Sequence, residues 1–185
     1  MSPGIVFNLI LRGELPGTPG RTYRRYPHLI HISMPEIGER APSFEGVTQG
    51  GKTISLDDYR GKRLALYFYP RDNTSNCTTQ ACNLRDNFRT LGRHDIHVVG
   101  VSDDPVSEHE KFSDSYQLPF PLIADTEKAI LNAYEAYGEK SMFGRKYMGT
   151  KRMTYLIDEN GMIKGVIRKP IVGEHADEIL NGFEK

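Results

Sequence analysis

Cys77 and Cys82 are the only two cysteines of the chain, and their surroundings give the first chemical signal in it. Two thiols are too few to staple a small scaffold, and five positions is the wrong spacing for a zinc knuckle. Their meaning must be local. Cys77 follows the polar run Pro70-Arg71-Asp72-Asn73-Thr74-Ser75-Asn76 and opens a stripe of Cys77, Ala81, Leu84, Phe88 and Leu91. Steps of three and four mark an amphipathic helix, which Gly92 should end. A cysteine in the first turn of a helix faces unpaired backbone N–H groups and the positive end of the helix dipole, both of which favour a thiolate. Position 77 also lies on the apolar stripe, so a cysteine that merely packs is the competing reading.

Cys82 bears on that choice. Five residues of helix rotate by about 140° and rise about 7.5 Å, which leaves the two Cα atoms roughly 8.6 Å apart. A disulfide tolerates about 7 Å at most. A Cys77–Cys82 bond therefore requires the first helical turns to unwind, and the segment should have a folded state and a locally unfolded one. The bland alternative for Cys82 is a bystander on the helix flank beside Arg85 and Arg89.

Acidity alone cannot make such a thiol fast. Lowering a cysteine pKa from about 8.5 to about 6 raises the thiolate fraction at neutral pH roughly thirtyfold, about 2 kcal/mol, while intrinsic nucleophilicity falls. Attack on an O–O bond also needs donors that hold the leaving oxygen as charge develops on it. Thr74 offers a hydroxyl three residues before Cys77, and the Cys77 backbone N–H is a second donor. Arg152, at the head of a strand running through Thr154 to Asp158, is a candidate cation on the expectation that neighbouring parallel strands bring their ends together. A solvated surface arginine is the alternative there. The histidine pairs His28/His31 and His94/His97 invite a metal reading, but His97 falls in a strand-like run, where a spacing of three puts side chains on opposite faces. His28 lies in an irregular basic tail. Solvated or structural histidines fit better, and no metal, flavin or haem is expected.

The elements that must position these groups follow from periodicity. A segment holding Pro42, the Gly50-Gly51 turn and the alternating stretch Thr53 to Leu56 predict an N-terminal β-hairpin. Leu64 to Tyr69 is a continuous apolar run stopped by Pro70, the pattern of a strand buried on both faces. Ile96 to Val101 predicts a second buried strand, Glu108 to Tyr116 a helix, Pro121 to Ala124 a short strand, and Glu127 to Tyr137 a helix stopped by Gly138. Strand and helix alternate to this point, which implies parallel pairing with right-handed crossovers. Arg152 to Asp158 and Met162 to Lys169 then flank the turn signal Glu159-Asn160-Gly161, and a helix over Glu174 to Phe183 closes the chain. The plan is α/β and thioredoxin-like: a mixed central β-sheet with helices on both faces and an N-terminal β-hairpin. Cys77 stands just past the carboxyl end of a buried strand, where such sheets place their sites.

Residues 1–33 read differently, with Pro3, Pro16, Pro19 and Pro27 breaking any period and Arg12, Arg21, Arg24 and Arg25 nearly unopposed by acid. They are expected to be a disordered extension, with a leader peptide or a true start at Met34 as alternatives. Residues 34–185 form the expected domain. Lys plus Arg and Asp plus Glu number 24 each, so charge favours neither nucleic acid nor an acidic membrane. No apolar run approaches the roughly 18 to 20 residues of a spanning helix.

Pro70, Thr74 and Cys77 match the Pro-x-x-x-Thr-x-x-Cys signature of peroxiredoxins, and YFYPRDNTSNCTTQACNLRDNF resembles the bacterioferritin-comigratory-protein, or PrxQ, subfamily. The resemblance runs from about Ile37 to Leu180, through GERAPSF, GKTISLDDYRGK, GVSDDP, YQLPFPLIAD and GRKYMGTKRMTYLID. It implies a thiol-dependent peroxidase in which Cys77 attacks a hydroperoxide, Thr74 orients it, Pro70 shields the pocket, and Arg152 assists the thiolate and the transition state. It further implies Cys82 as the resolving cysteine, recycling by thioredoxin or a similar dithiol, and a monomer or weak homodimer. Thiols that must be re-reduced suit a reducing compartment, so the cytoplasm is expected. Ser75-Asn76 replaces the frequent Pro-Gly and could loosen the loop. Gln80 stands where an acidic residue is common; it can form no ion pair, which weakens the expectation that it steers a nearby arginine. Rival functions on the same fold are a thioredoxin-like disulfide reductase, disfavoured because Cys-x-x-Cys is absent, and a non-enzymatic chaperone.

Overall fold

The run Leu64 to Tyr69 forms the centre of the molecule. In the computed structural model, which describes residues 34–142 and 144–184, strand β3 (Arg63–Phe68) is flanked on one side by the parallel strand β4 (Ile96–Ser102) and on the other by the antiparallel strand β8 (Met153–Ile157). The short strand β5 (Leu122–Ala124) and strand β9 (Ile163–Ile167) complete a five-stranded mixed sheet in the order β5-β4-β3-β8-β9. The predicted extension, residues 1–33, and with it His28 and His31, lies outside the described residues. No helix among the described residues is long and apolar enough to cross a membrane.

Alternation along β3 sends side chains to two cores, as a pleat of period two requires. Leu64, Leu66 and Phe68 join Phe44, Ile54, Ile130, Tyr134 and Tyr155 on one face. That face is covered by the hairpin β1 (Glu45–Val47) and β2 (Thr53–Ser55), a 3-10 turn at Leu56–Tyr59, and helix α4 (Ala129–Ala133). Ala65, Tyr67 and Tyr69 join Leu84, Phe112, Ile179 and Phe183 on the other. The second face carries α1 (Ser75–Asp86), α2 (Phe88–Arg93), α3 (Val106–Tyr116) and α5 (His175–Glu184). Each fully buried Leu or Phe in these layers contributes about 1.5–3 kcal/mol. Tyr67 needs one special neighbour. It pairs across the ladder with Gly100, where a Cβ would come within 2.8 Å of the Tyr67 ring.

Four differences from the expected elements have physical causes. The helix expected to run unbroken from Cys77 to Leu91 breaks at Asn87 (φ −100°, ψ 7°), whose side chain donates to Asn83 O at 2.9 Å. An Asn that bonds nearby backbone competes with the helical ladder. The helix expected over Glu127 to Tyr137 is shorter: Glu135 adopts φ 50°, the left-handed region that ends helices, and Ala136 N closes the turn onto Leu131 O at 2.8 Å. Tyr137 belongs instead to strand β6 (Tyr137–Met142), which pairs with β7 (Arg145–Thr150) about Gly144 in a ribbon that was not expected. Residues 145–148 are all exposed, so neither face shows the apolar alternation that marks a strand in sequence. Finally, β8 runs antiparallel to β3, not parallel, and this sets the position of Arg152.

Candidate active site

The carboxyl end of β3 delivers the chain to a loop that turns directly into α1. Asn73 takes φ 56°, a left-handed conformation that Asn tolerates better than most residues. Thr74 is the N-cap of α1 in extended conformation, and its hydroxyl donates to Arg71 O at 3.1 Å, which leaves the oxygen's lone pairs to accept. Thr74 is exposed and Pro70 half-buried at the mouth of the same loop, while Cys77, in the first turn of α1, is only 2% exposed.

Arg152 meets that sulfur. It immediately precedes β8, and the antiparallel register sets Met153 opposite Phe68, the last residue of β3. The head of β8 therefore lies beside the end of β3. A parallel β8 would have put Arg152 at the opposite end of the strands, beside the start of β3. Its Nη2 donates to Cys77 Sγ at 3.1 Å, a contact complementary to a thiolate.

Behind Arg152 runs a line of polar side chains. Arg152 Nη1 donates to Gln80 Oε1, Gln80 Nε2 lies 2.9 Å from His175 Nδ1, and His175 Nε2 lies 2.8 Å from Thr154 Oγ1. Gln80 thus does engage the arginine, as a neutral acceptor rather than an ion-pair partner. Burial, and then the positive charge of Arg152, push the His175 imidazole down to about 3. Beneath the site, Tyr67 is stacked on Tyr69 at 5.3 Å and meets the edge of His175 at 6.0 Å. Its hydroxyl makes no hydrogen bond among the described residues. Burial first, then the negative charges of Asp72 and Cys77, hold that phenol well above its ordinary range, so it stays neutral.

Two fastenings bracket this segment. Upstream, Asp72 accepts from Tyr69 Oη at 2.8 Å and lies 2.6 Å from His109 Nδ1, with both the Asp72 and His109 side chains almost fully buried. Its backbone N–H donates to Asp104 Oδ2 at 2.9 Å. Downstream, Asn83 donates to Gly173 O at 2.7 Å and accepts from Ala176 N at 2.9 Å, tying α1 to the start of α5. Cys82 sits half-buried between them on the same unbroken helix as Cys77, and both thiols are free.

The structure brings Cys77 and Arg152 into contact, with Thr74 and Pro70 on the loop that leads into α1 and Cys82 further along that helix. Sequence reasoning missed Asp72, Asn83, His109 and His175. Their partners lie far off, 37 positions between Asp72 and His109 and 95 between Gln80 and His175, so local spacing carries no trace of them. His97 lies near Asp95 at 3.7 Å and meets the Tyr59 ring edge-on at 5.9 Å. Among the described residues no three His, Cys, Asp or Glu side chains gather to hold a metal ion.

Comparison with known proteins adds findings of three kinds. The AhpC/TSA family profile matches residues 37–166. The Coxiella burnetii protein named putative peroxiredoxin bcp is 41% identical over 145 residues, covering 78% of this chain and 96% of that protein. Peroxiredoxin Bcp of Bacillus subtilis is likewise 41% identical over 145 residues, covering 78% of this chain and 92% of its own length. Among solved structures, a cysteine-to-serine mutant of Xylella fastidiosa PrxQ superposes with a TM-score of 0.77 at 29% identity, covering 82% of this chain and 97% of that one. A Xanthomonas campestris bacterioferritin comigratory protein, studied for its alkyl peroxide reduction, gives 0.72 at 30% identity, covering 76% and 90%.

Proposed function

Because this chain belongs to the AhpC/TSA family and, within it, resembles the Bcp and PrxQ peroxiredoxins throughout its described sheet, we propose that it is a thiol peroxidase working through Cys77 and Cys82. The Cys77 thiolate attacks one oxygen of a hydroperoxide. An S–O bond forms as the O–O bond breaks, and the departing oxygen leaves as water or alcohol after taking a proton. Cys77 is thereby oxidised to a sulfenic acid. Arg152 stabilises the thiolate and the charge developing on the leaving oxygen, Thr74 accepts a hydrogen bond from the peroxide, and Pro70 shields the mouth of the pocket.

Cys82 then attacks the sulfenic sulfur, an S–S bond forms, and water departs. The two cysteines share an unbroken helix, in which Cα atoms five apart lie about 8.6 Å from one another. Closure therefore follows unwinding of the first turns of α1. A thioredoxin or similar dithiol protein supplies the two electrons that restore both thiols. The setting is antioxidant defence in the cytoplasm, by a monomer or weak homodimer that uses no cofactor.

The 3.1 Å contact between Arg152 Nη2 and Cys77 Sγ carries this reading, since an arginine 75 positions away has no structural need of that sulfur. Intact mass spectrometry of reduced protein before and after one equivalent of hydrogen peroxide tests it. Loss of the mass of two hydrogens, mapped to the peptide holding Cys77 and Cys82, is expected. Recovery of two free thiols from folded, peroxide-treated protein would overturn it.

A further inference from the structure

Arg152, Gln80, His175 and Thr154 form a hydrogen-bonded line behind the Cys77 sulfur, and its polarity is set from one end. A guanidinium donates and cannot accept. Gln80 must therefore turn Oε1 toward Arg152, which leaves its Nε2 amide to donate to His175 Nδ1, 2.9 Å away. That nitrogen must carry no hydrogen. The ring hydrogen then resides on Nε2 and is given to Thr154 Oγ1 at 2.8 Å.

The opposite assignment fails at one identifiable contact. With a hydrogen on Nδ1, two donors would face each other across 2.9 Å between side chains that are both 0% exposed. An imidazolium fails at the same place. Flipping the Gln80 amide to relieve it would set an NH2 group against the guanidinium instead. A buried donor facing another donor is left without its hydrogen bond, so each alternative is heavily disfavoured.

Gln80 has particular need of such a partner. A carboxylate at that position would offer Arg152 an oxygen in either orientation, whereas an amide offers one in only one of its two. We propose that His175, as the Nε2–H tautomer, is a positioning residue for the peroxidase step: it locks the Gln80 amide, and through it the Arg152 guanidinium, in the orientation that sets Nη2 on Cys77. This rests on the reading of Cys77 and Arg152 given above. His175 touches neither sulfur nor substrate. Its contribution is to remove a rotational freedom that glutamine introduces, and Thr154, fixed in β8 between Tyr155 and Met153, gives the ring its second anchor.

The test compares wild-type protein with His175→Phe and His175→Asn, measuring the second-order rate of Cys77 oxidation by hydrogen peroxide in stopped flow, alongside nitrogen-15 NMR of the imidazoles. Phe keeps an aromatic bulk but offers no acceptor, whereas Asn can present Oδ1 near the Nδ1 position. Displacement of a catalytic group by about 1 Å can cost up to about 100-fold, so we expect Phe to slow oxidation about 10- to 100-fold and Asn to recover most of that loss. In wild-type protein the NMR spectrum should show His175 neutral, with hydrogen on Nε2 alone. A folded Phe variant that oxidises at the wild-type rate, or an Asn variant as slow as Phe, overturns the proposal. So does a wild-type ring bearing hydrogen on Nδ1, which decides the matter even if the Phe variant fails to fold. Wild-type protein inert to peroxide would instead remove the peroxidase reading on which the proposal stands.

Discussion

Arg152 approaches Cys77 from the strand next door, with Nη2 3.1 Å from Sγ, and the register that pairs Met153 with Phe68 makes the approach a property of the sheet rather than of a flexible loop. The same guanidinium serves Gln80 through its other terminal nitrogen. A planar fork with several donors can hold both partners together; an ammonium at one point cannot.

Replacing Arg152 by Gln should therefore lower the rate of Cys77 oxidation by about 100- to 1000-fold, the range seen when a single donor to a developing oxyanion is removed. Arg152→Lys should recover only part of that loss. Stopped-flow oxidation by hydrogen peroxide under pseudo-first-order conditions gives both rates, and a Lys variant at the wild-type rate would show that charge alone suffices.

Helix content should report the redox state. Oxidation of wild-type protein should reduce the far-ultraviolet circular dichroism signal at helical wavelengths, because the bond between Cys77 and Cys82 requires the start of α1 to unwind. Cys82→Ser should form the sulfenic acid without that loss and should turn over poorly with thioredoxin. Full thioredoxin-linked turnover by Cys82→Ser would remove the resolving role.

Acid should weaken the fold through His175. Its folded imidazole titrates at about 3, against about 6.5 in an unfolded chain. Between those values the unfolded chain binds a proton that the folded one does not, so stability is fully present above pH 6.5 and is lost as pH falls toward 3. The loss is up to about 1.4 kcal/mol per pH unit. Urea midpoints measured from pH 7 to pH 4 should fall in wild-type protein and fall less steeply in a folded His175→Asn variant.

His109→Ala should destabilise the protein by about 1–3 kcal/mol, because it leaves the Asp72 carboxyl buried without its hydrogen bond to the imidazole. The two side chains are 0% and 2% exposed, so Asp72 has no bulk water at hand to replace the lost ring. Urea denaturation measures the difference, and a change below 1 kcal/mol would mean that the loop relaxes enough to hydrate Asp72.

The elements that could be read from sequence are those whose burial leaves a periodic trace. Leu64 to Tyr69, the turn at Gly161, and the stripe from Cys77 to Leu84 all announce themselves in this way. The β6–β7 ribbon does not, because it is exposed along most of β7 and so loses its alternation. For the site, Pro70, Thr74 and Cys77 lie within one short stretch whose order carries the chemistry. Arg152 can be named from the head of its strand, although it reaches Cys77 through antiparallel pairing of β8 with β3 and not through parallel neighbours. In the sequence Gln80 shows only as a missing charge. Its bond to His175 spans 95 positions and that between Asp72 and His109 spans 37, and only the folded chain brings these partners within reach.

Asp72, held by His109, and Asn83, held by the turn into α5, stand on either side of both cysteines. In the proposed cycle the strip that melts is thus moored at both banks. Its excursion is short, the entropy released is that of a small closed loop rather than a free tail, and rewinding starts in the correct register. Each turnover can spend part of the fold and recover it: unwinding withdraws Cys77 and Ala81 from the core beneath α1, while the core on the other face of the sheet is untouched.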